Sequence, residues 1–288
     1  MSGEETALAD AMGRFAPVVV DGHKVPDIEW TRGRILLSNK RLLLVSQDRK
    51  ETIPLSSIHG IKGRQDVGGN PAGIGSYVSV QSGSDVTLVA PADGDDTVEL
   101  ALYGAVLDGQ VILANHPAVA GGVVQDEAWL KGRLSVDGLE VGLALGDGRF
   151  VPVDVDDVSR VVEDERPVEG DERLVLEAEH TEEGTAVETH VTGTRRHMSV
   201  LASLLRKGEQ ANRSDVDLEA AESEVLMALY SGVSPFEIPE FVGMDVDRVE
   251  AIYDDLVEAG LLEAVRTRRD VSLLARGRSI ASEEMANE

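Results

Sequence analysis

Cysteine is absent from the 288 residues, which excludes a disulfide framework, a thiolate nucleophile and any cysteine-ligated metal. Aromatic residues make up only 3%, with 4 Phe, 4 Tyr and 2 Trp, so the core must be built mainly from aliphatic side chains. No stretch approaches the roughly 18 apolar residues that a membrane-spanning helix needs. The opening residues Met1-Ser2-Gly3-Glu4-Glu5 are acidic where a signal peptide would be basic and apolar. A soluble, cytoplasmic chain is the expectation. Lysine is scarce as well, appearing only at 24, 40, 50, 62, 131 and 207.

What is abundant is acid. Asp and Glu number 53 against 27 Lys and Arg, for a net charge of −26 and a pI near 4.5. The acid is spread along the whole chain, and a surface of that kind repels itself in dilute buffer. At molar salt the Debye length falls to about 3 Å and the repulsion is screened. The composition therefore predicts the cytoplasm of a halophile, where an acidic patch by itself carries little functional information.

The chain also contains one element twice. Trp30-Thr31-Arg32-Gly33-Arg34-Ile35-Leu36-Leu37 returns 99 residues later as Trp129-Leu130-Lys131-Gly132-Arg133-Leu134-Ser135-Val136. Each copy continues through a turn, an apolar strand, a charged turn and a short step at Ile53-Pro54-Leu55 or Val151-Pro152-Val153. A unit of about 100 residues is too long for a solenoid repeat and indicates a duplicated small domain.

Short strands at 8 to 12 residue spacing indicate antiparallel sheets. Residues 1–27 read as an N-terminal segment with a short helix-like stretch. The first unit spans 28–117, with strands followed by a closing helix from Tyr103 to Ala114. The second spans 118–208, closing with a helix from about Met198 to Lys207. The segment 218–275 differs in kind. Helical spacing runs from Leu218 to Tyr230, Ser234-Pro235 starts a second helix through Phe241, and a third covers Asp245 to Glu258. A Gly-Leu-Leu strand and a charged turn then lead into a returning strand at 271–274, the pattern of a winged helix-turn-helix. Residues 276–288 are expected to be a disordered tail. The fold class is α+β.

Chemistry is poorly represented. His23, His59, His116, His180, His190 and His197 are scattered, and spacing singles out no catalytic set, so no enzyme activity and no cofactor are expected. The best metal constellation is His180, His190 and His197, if the first two face each other across a hairpin. The bland reading, exposed hairpin histidines, is preferred. The glycine-rich loop at 68–75 precedes a strand and lacks a lysine, so it reads as a connector rather than a phosphate cradle. Lys40, Arg41, Arg49 and Lys50 form a modest basic cluster in the first unit, and high salt screens its attraction for a membrane.

DNA binding is the rival function. The third helix, residues 245–255, holds five acids against Arg248 alone, which does not suit a phosphate backbone. Arg266, Arg268 and Arg269 follow in the charged turn. With Arg248 and Tyr253 on the third helix, they are the candidate partner-binding residues, since Arg makes bidentate bonds to carboxylates that survive screening.

The run 33–44, Gly-Arg-Ile-Leu-Leu-Ser-Asn-Lys-Arg-Leu-Leu-Leu, resembles the opening hairpin of the GRAM and bacterial PH-like group. That resemblance implies tandem PH-like β-barrels, each closed by a C-terminal helix. With Trp30 to Ser38 near the start and Glu-Ala-Gly-Leu-Leu-Glu at 258–263, the whole arrangement resembles the archaeal taxis protein family CheF. The family implies a non-enzymatic adaptor that joins the response regulator CheY, with CheD and CheC, to the switch proteins of the archaellum. A winged-helix transcriptional regulator and a lipid-binding PH-like module are the alternatives.

Overall fold

The segment expected to hold a short helix is instead β1 (Ala7–Val20), 14 residues long, in the computed structural model, which describes residues 4–63, 77–92, 96–212, 218–262 and 264. Its sequence explains the difference. Gly13, Pro17 and the run Val18-Val19-Val20 disfavour helix. Strands lie on both sides of it, one of them more than sixty residues away in sequence.

The first sheet continues with β2 (His23–Lys24), β3 (Thr31–Ser38), β4 (Arg41–Val45), β5 (Lys50–Pro54), β6 (Ile58–Gly63), β7 (Val78–Ser82) and β8 (Asp85–Pro91). A single 3-10 turn, Leu55–Ser57, links β5 to β6. All pairings are antiparallel, in the order β5-β4-β3-β1-β8-β7-β6, with β2 added to the end of β1. β1 pairs with β3 along Ala7 to Phe15 and with β8 along Gly13 to Val19, so the sheet curls around it. Helix α1 (Thr97–Leu107) follows.

The second sheet repeats this order. β9 (Val111–Ala120), β10 (Val123–Val124), β11 (Leu130–Asp137), β12 (Glu140–Leu145), β13 (Phe150–Asp154), β14 (Arg160–Val168), β15 (Asp171–Glu182) and β16 (Thr185–Thr192) form the path β13-β12-β11-β9-β16-β15-β14. A 3-10 turn, Val155–Asp157, again precedes the sixth strand, and helix α2 (Arg195–Asn212) closes the repeat. Trp30 and Trp129 each stand one residue before the equivalent strands β3 and β11. The signature glycine has a physical reason. A Cβ on Gly33 would lie 2.2 Å from the Val45 carbonyl oxygen, and one on Gly132 would lie 2.9 Å from that of Ala144.

Two expectations are corrected by these pairings. The boundaries at 27/28 and 117/118 separate β1 from its sheet and cut β9 in two. The closing helix of the first repeat ends at Leu107 rather than Ala114, because Asp108 and Gly109, with φ of 72° at the glycine, turn the chain into β9. Periodicity does not separate helix from strand in a short apolar run such as Val111-Ile112-Leu113-Ala114.

The two sheets share one core, which runs from Phe15 and Ile35 through Leu102 and Val106 to Leu143, Leu201 and Leu205. α1 packs on β1 and β3 of its own sheet and on β11 of the other, and α2 packs on β6, β14 and β15. Polar bonds cross the same junction. Arg196 on α2 donates to the carbonyls of Ile58 (2.5 Å) and Leu55 (2.8 Å). Lys207 donates to Glu99 (2.9 Å) and Asp96 (3.1 Å). Burial depresses the Lys207 ammonium, and its bonds to the two carboxylates outweigh that and hold it above its usual range.

The chain divides into two compact units, Met1–Asp215 and Val216–Glu288. The described part of the second is three helices, α3 (Ala220–Tyr230), α4 (Ile238–Val242) and α5 (Val246–Glu258), around Val225, Ala228, Ile238, Val249, Ile252 and Leu256. Two sheets with packed helices and a helical unit make the chain α+β. The expected wing at 271–274 and the tail at 276–288 lie outside the described residues, as does the glycine-rich loop at 68–75.

Candidate interaction site

The helices of the second unit are fixed by local chemistry. A capping box starts α3: the Glu219 side chain accepts from the backbone three residues on, and the Glu219 N–H donates to Glu222 at 2.6 Å. Asp245 caps α5 by accepting from the Arg248 N–H at 2.8 Å. Gly243, with φ of 69°, ends α4 in the left-handed conformation. Each helix then turns its apolar stripe inward.

The stripe does not bury everything. Met227 is 62% exposed, Phe236 80% and Phe241 64%. In a chain with four phenylalanines, only Phe15 is buried. Met227 and Phe241 line an open groove of about 330 Å³ between α3 and α4, with Ala228, Ser231 and Val242, and Glu224 sits at its rim. An adjoining groove of about 460 Å³ runs past Val233 with Glu237 and Glu240 beside Phe241. An apolar floor with a polar rim is the form of a protein-binding surface.

The residues singled out from sequence fall elsewhere. Arg248 lies in the first turn of α5, exposed, with its guanidinium 3.5 Å from Glu219. The Tyr253 hydroxyl donates to the Pro235 carbonyl at 2.8 Å, tying α5 to the turn that precedes α4, and burial raises its pKa. Arg266, Arg268 and Arg269 lie outside the described residues. The sequence reading missed Met227 and Phe241. The signal available was that two of the four phenylalanines, Phe236 and Phe241, fall outside any strand pattern and inside the short acidic stretch 236–241.

The histidine triad does not assemble. In the β15–β16 pairing His180 opposes Val187 and His190 opposes Glu177, so alternation puts the two histidines on opposite faces of the sheet. His197 lies on α2, where its Nε2 accepts from Arg196 at 2.9 Å. Nor are the histidines all exposed. His116 and His180 are buried, stacked 6.1 Å apart, and bridged by the Thr189 hydroxyl at 2.7 and 2.8 Å. Burial lowers both pKa values. His190 instead joins Glu177 and Glu188, whose donor atoms lie within 4.8 Å of one another. The Arg166 guanidinium already serves that group, donating to Glu177 at 2.7 Å and to His190 Nδ1 at 3.0 Å. A fixed positive charge there opposes a metal cation.

The most conspicuous surface feature of the second unit is thus the open groove of Met227 and Phe241. The comparisons with known proteins give the family. Residues 7–211 match the family described as archaeal chemotaxis signal transduction system protein F, and residues 217–286 match a domain of unknown function, DUF8579. Taxis protein CheF1 of Halobacterium salinarum is 45% identical over 290 residues, covering 100% of both chains. Taxis protein CheF2 of the same organism is 27% identical over 293 residues, covering 98% of both. The chain belongs to the archaeal CheF family of chemotaxis signal transduction proteins. Among the described residues no helix is long and apolar enough to cross a membrane.

Proposed function

We propose that the chain is a non-enzymatic adaptor in the cytoplasm of a halophile, carrying the state of the response regulator CheY to the switch proteins of the archaellum, with CheD and CheC as companions. Family membership supports the pathway. The observation that carries the adaptor role is the exposed groove of Met227 and Phe241 between α3 and α4, in a helical unit that also exposes Tyr230 and Phe236. An adaptor transmits a signal only by binding two states of its partner with different affinity. The groove supplies apolar area for such contact, and Arg248 with Arg266, Arg268 and Arg269 are the charged anchors of the same unit.

Finer features of the fold fit this reading. A seven-strand path curled around β1 and followed by one helix is the order of a PH-like barrel, and α3 to α5 have the order of a winged helix. On α5, Asp247, Glu250, Asp254 and Asp255 accompany Arg248, a face that repels phosphate and favours a protein partner over DNA.

Docking that buries one Phe side chain contributes about 1.5–3 kcal/mol, or roughly ten- to a hundredfold in affinity. The test is biolayer interferometry of the full-length chain against CheY, with and without beryllofluoride, in molar KCl. Tighter binding of activated CheY is expected, with Phe241→Ala weakening it about tenfold or more at an unchanged melting midpoint. Equal affinity for the two states of CheY refutes the adaptor reading, and wild-type affinity in Phe241→Ala removes the groove from it.

A further inference from the structure

The outer face of the first sheet carries a like-charged pair that the fold does not require. Arg14 on β1 and Arg32 on β3 are direct cross-strand partners, so their side chains leave the same face, and both are exposed. Like charges directly opposite each other destabilise a sheet. In a chain with 53 acids and 27 cations, a carboxylate neighbour would be the default. Among the described residues no carboxylate pairs with Arg14 or Arg32; the adjacent Arg34 is held by Asp10 at 2.7 and 2.5 Å. The next row of the face runs Met12, Arg34, Val45, Lys50 across four strands, and Met12 is 61% exposed.

The duplication supplies an internal comparison. In the second sheet the rows equivalent to these read Leu113 and Lys131, then Val111, Arg133, Ala144 and Phe150. There the arginine donates to the Gly109 carbonyl at 2.9 Å. The same strands therefore form with a leucine in the place of Arg14. The doubled arginine is particular to the first sheet, and the like-charge cost it brings needs a reason outside the fold.

We propose that this face docks an acidic protein surface, with Arg14 and Arg32 receiving carboxylates and Met12 as the apolar anchor beside them. The proposal rests on the adaptor reading and gives the first unit a contact of its own. Bidentate guanidinium–carboxylate bonds act at short range and keep their geometric specificity when salt has screened longer-range attraction. Aliphatic side chains within the patch, Leu36, Leu43 and Val45, and the carboxylate of Asp10 suit a folded protein partner better than an anionic bilayer or a phosphate backbone.

The test uses the full-length chain in molar KCl against immobilised CheY, CheD, CheC and archaellum switch proteins, with wild type, Arg14→Glu, Arg14→Glu/Arg32→Glu and, in the second sheet, Lys131→Glu. For at least one partner, the double variant is expected to lose about tenfold or more in affinity, while Lys131→Glu leaves it unchanged. Arg14→Glu turns a like pair into an opposite pair, so it should raise the melting midpoint while weakening the same partner, a combination that a purely structural role does not produce. Wild-type binding with undiminished affinity in the double variant overturns the proposal alone. A wild-type chain that binds none of these proteins overturns the adaptor reading and this proposal with it. An effect seen only on phosphatidylglycerol vesicles, on duplex DNA or on self-association by sedimentation overturns the acidic partner in favour of that occupant.

Discussion

Replacing Gly208 by alanine sets two effects of opposite sign against each other. Gly208 lies inside α2, and in an unconstrained helix interior Gly→Ala stabilises by about 1 kcal/mol. Here the helix lies against the 3-10 turn of the second repeat, so a Cβ would stand 1.5 Å from the Val155 carbonyl oxygen and 2.7 Å from its carbon. Backbone cannot rotate away as a side chain can. Helix and turn would have to part by roughly 1.5 Å or more, which strains the Asn212 amide bonds to the carbonyls of Asp156 (2.7 Å) and Val158 (3.1 Å). Overpacking costs about 1–3 kcal/mol and each of the two weakened hydrogen bonds about 0.5–1.5 kcal/mol, so after the helical gain is subtracted the net loss is about 1–5 kcal/mol. For a unit of this size each kcal/mol lowers the melting midpoint by roughly 2–4 °C, giving a fall on the order of 10 °C. Gly104→Ala on α1 is the graded control, since its Cβ would meet only the Val136 carbonyl oxygen at 3.3 Å, and it should fall within about 1 kcal/mol of wild type. The assay is thermal unfolding by circular dichroism in molar KCl. A Gly208→Ala midpoint at or above wild type refutes the close approach of α2 to the turn.

Acidification should weaken the first unit before its carboxylates titrate. Burial holds His116, His180 and His197 below the usual 6.5, so beneath that pH the unfolded chain binds protons that the folded chain refuses. Stability is therefore complete above about pH 6.5 and falls as pH drops through the window below it, by up to about 1.4 kcal/mol per pH unit for each histidine. Melting midpoints between pH 7.5 and 5.5 should show this slope, and His180→Gln should flatten it; a level wild-type profile contradicts the buried neutral pair. Salt acts in the opposite sense to acid. With a net charge of −26, unfolding midpoints should climb steeply from low to molar KCl, and a flat profile removes the halophilic reading.

The parts of the chain governed by local rules could be read directly. The duplication showed itself through Trp-x-x-Gly-Arg because Gly33 and Gly132 meet the same steric demand, a neighbouring carbonyl too close for a Cβ. α5 was legible to within a residue, since Asp245 supplies its cap and Val249, Ile252 and Leu256 its inward stripe. Net charge and the absence of cysteine excluded whole classes of chemistry without any coordinates.

What escaped the sequence depends on partners far along the chain. β1 alternates poorly, with Phe15 and Ala16 both buried, because its two flanking strands begin and end at different points along it. The register of β15 on β16 sends His180 inward to His116 and Thr189 and His190 outward to Glu177, a sorting that a shift of one residue would reverse. Arg14 and Arg32 are 18 positions apart and meet only through strand pairing. Met227 and Phe241 lie on separate helices, and the fold of those helices decides that they line an open groove instead of a core. Sequence by itself determined composition, repetition and the capped ends of α5, because each is set by nearest neighbours or by steric rules within a turn. Tertiary structure alone decided which side chains face one another and which face water, because both depend on contacts between segments that the order of residues leaves far apart.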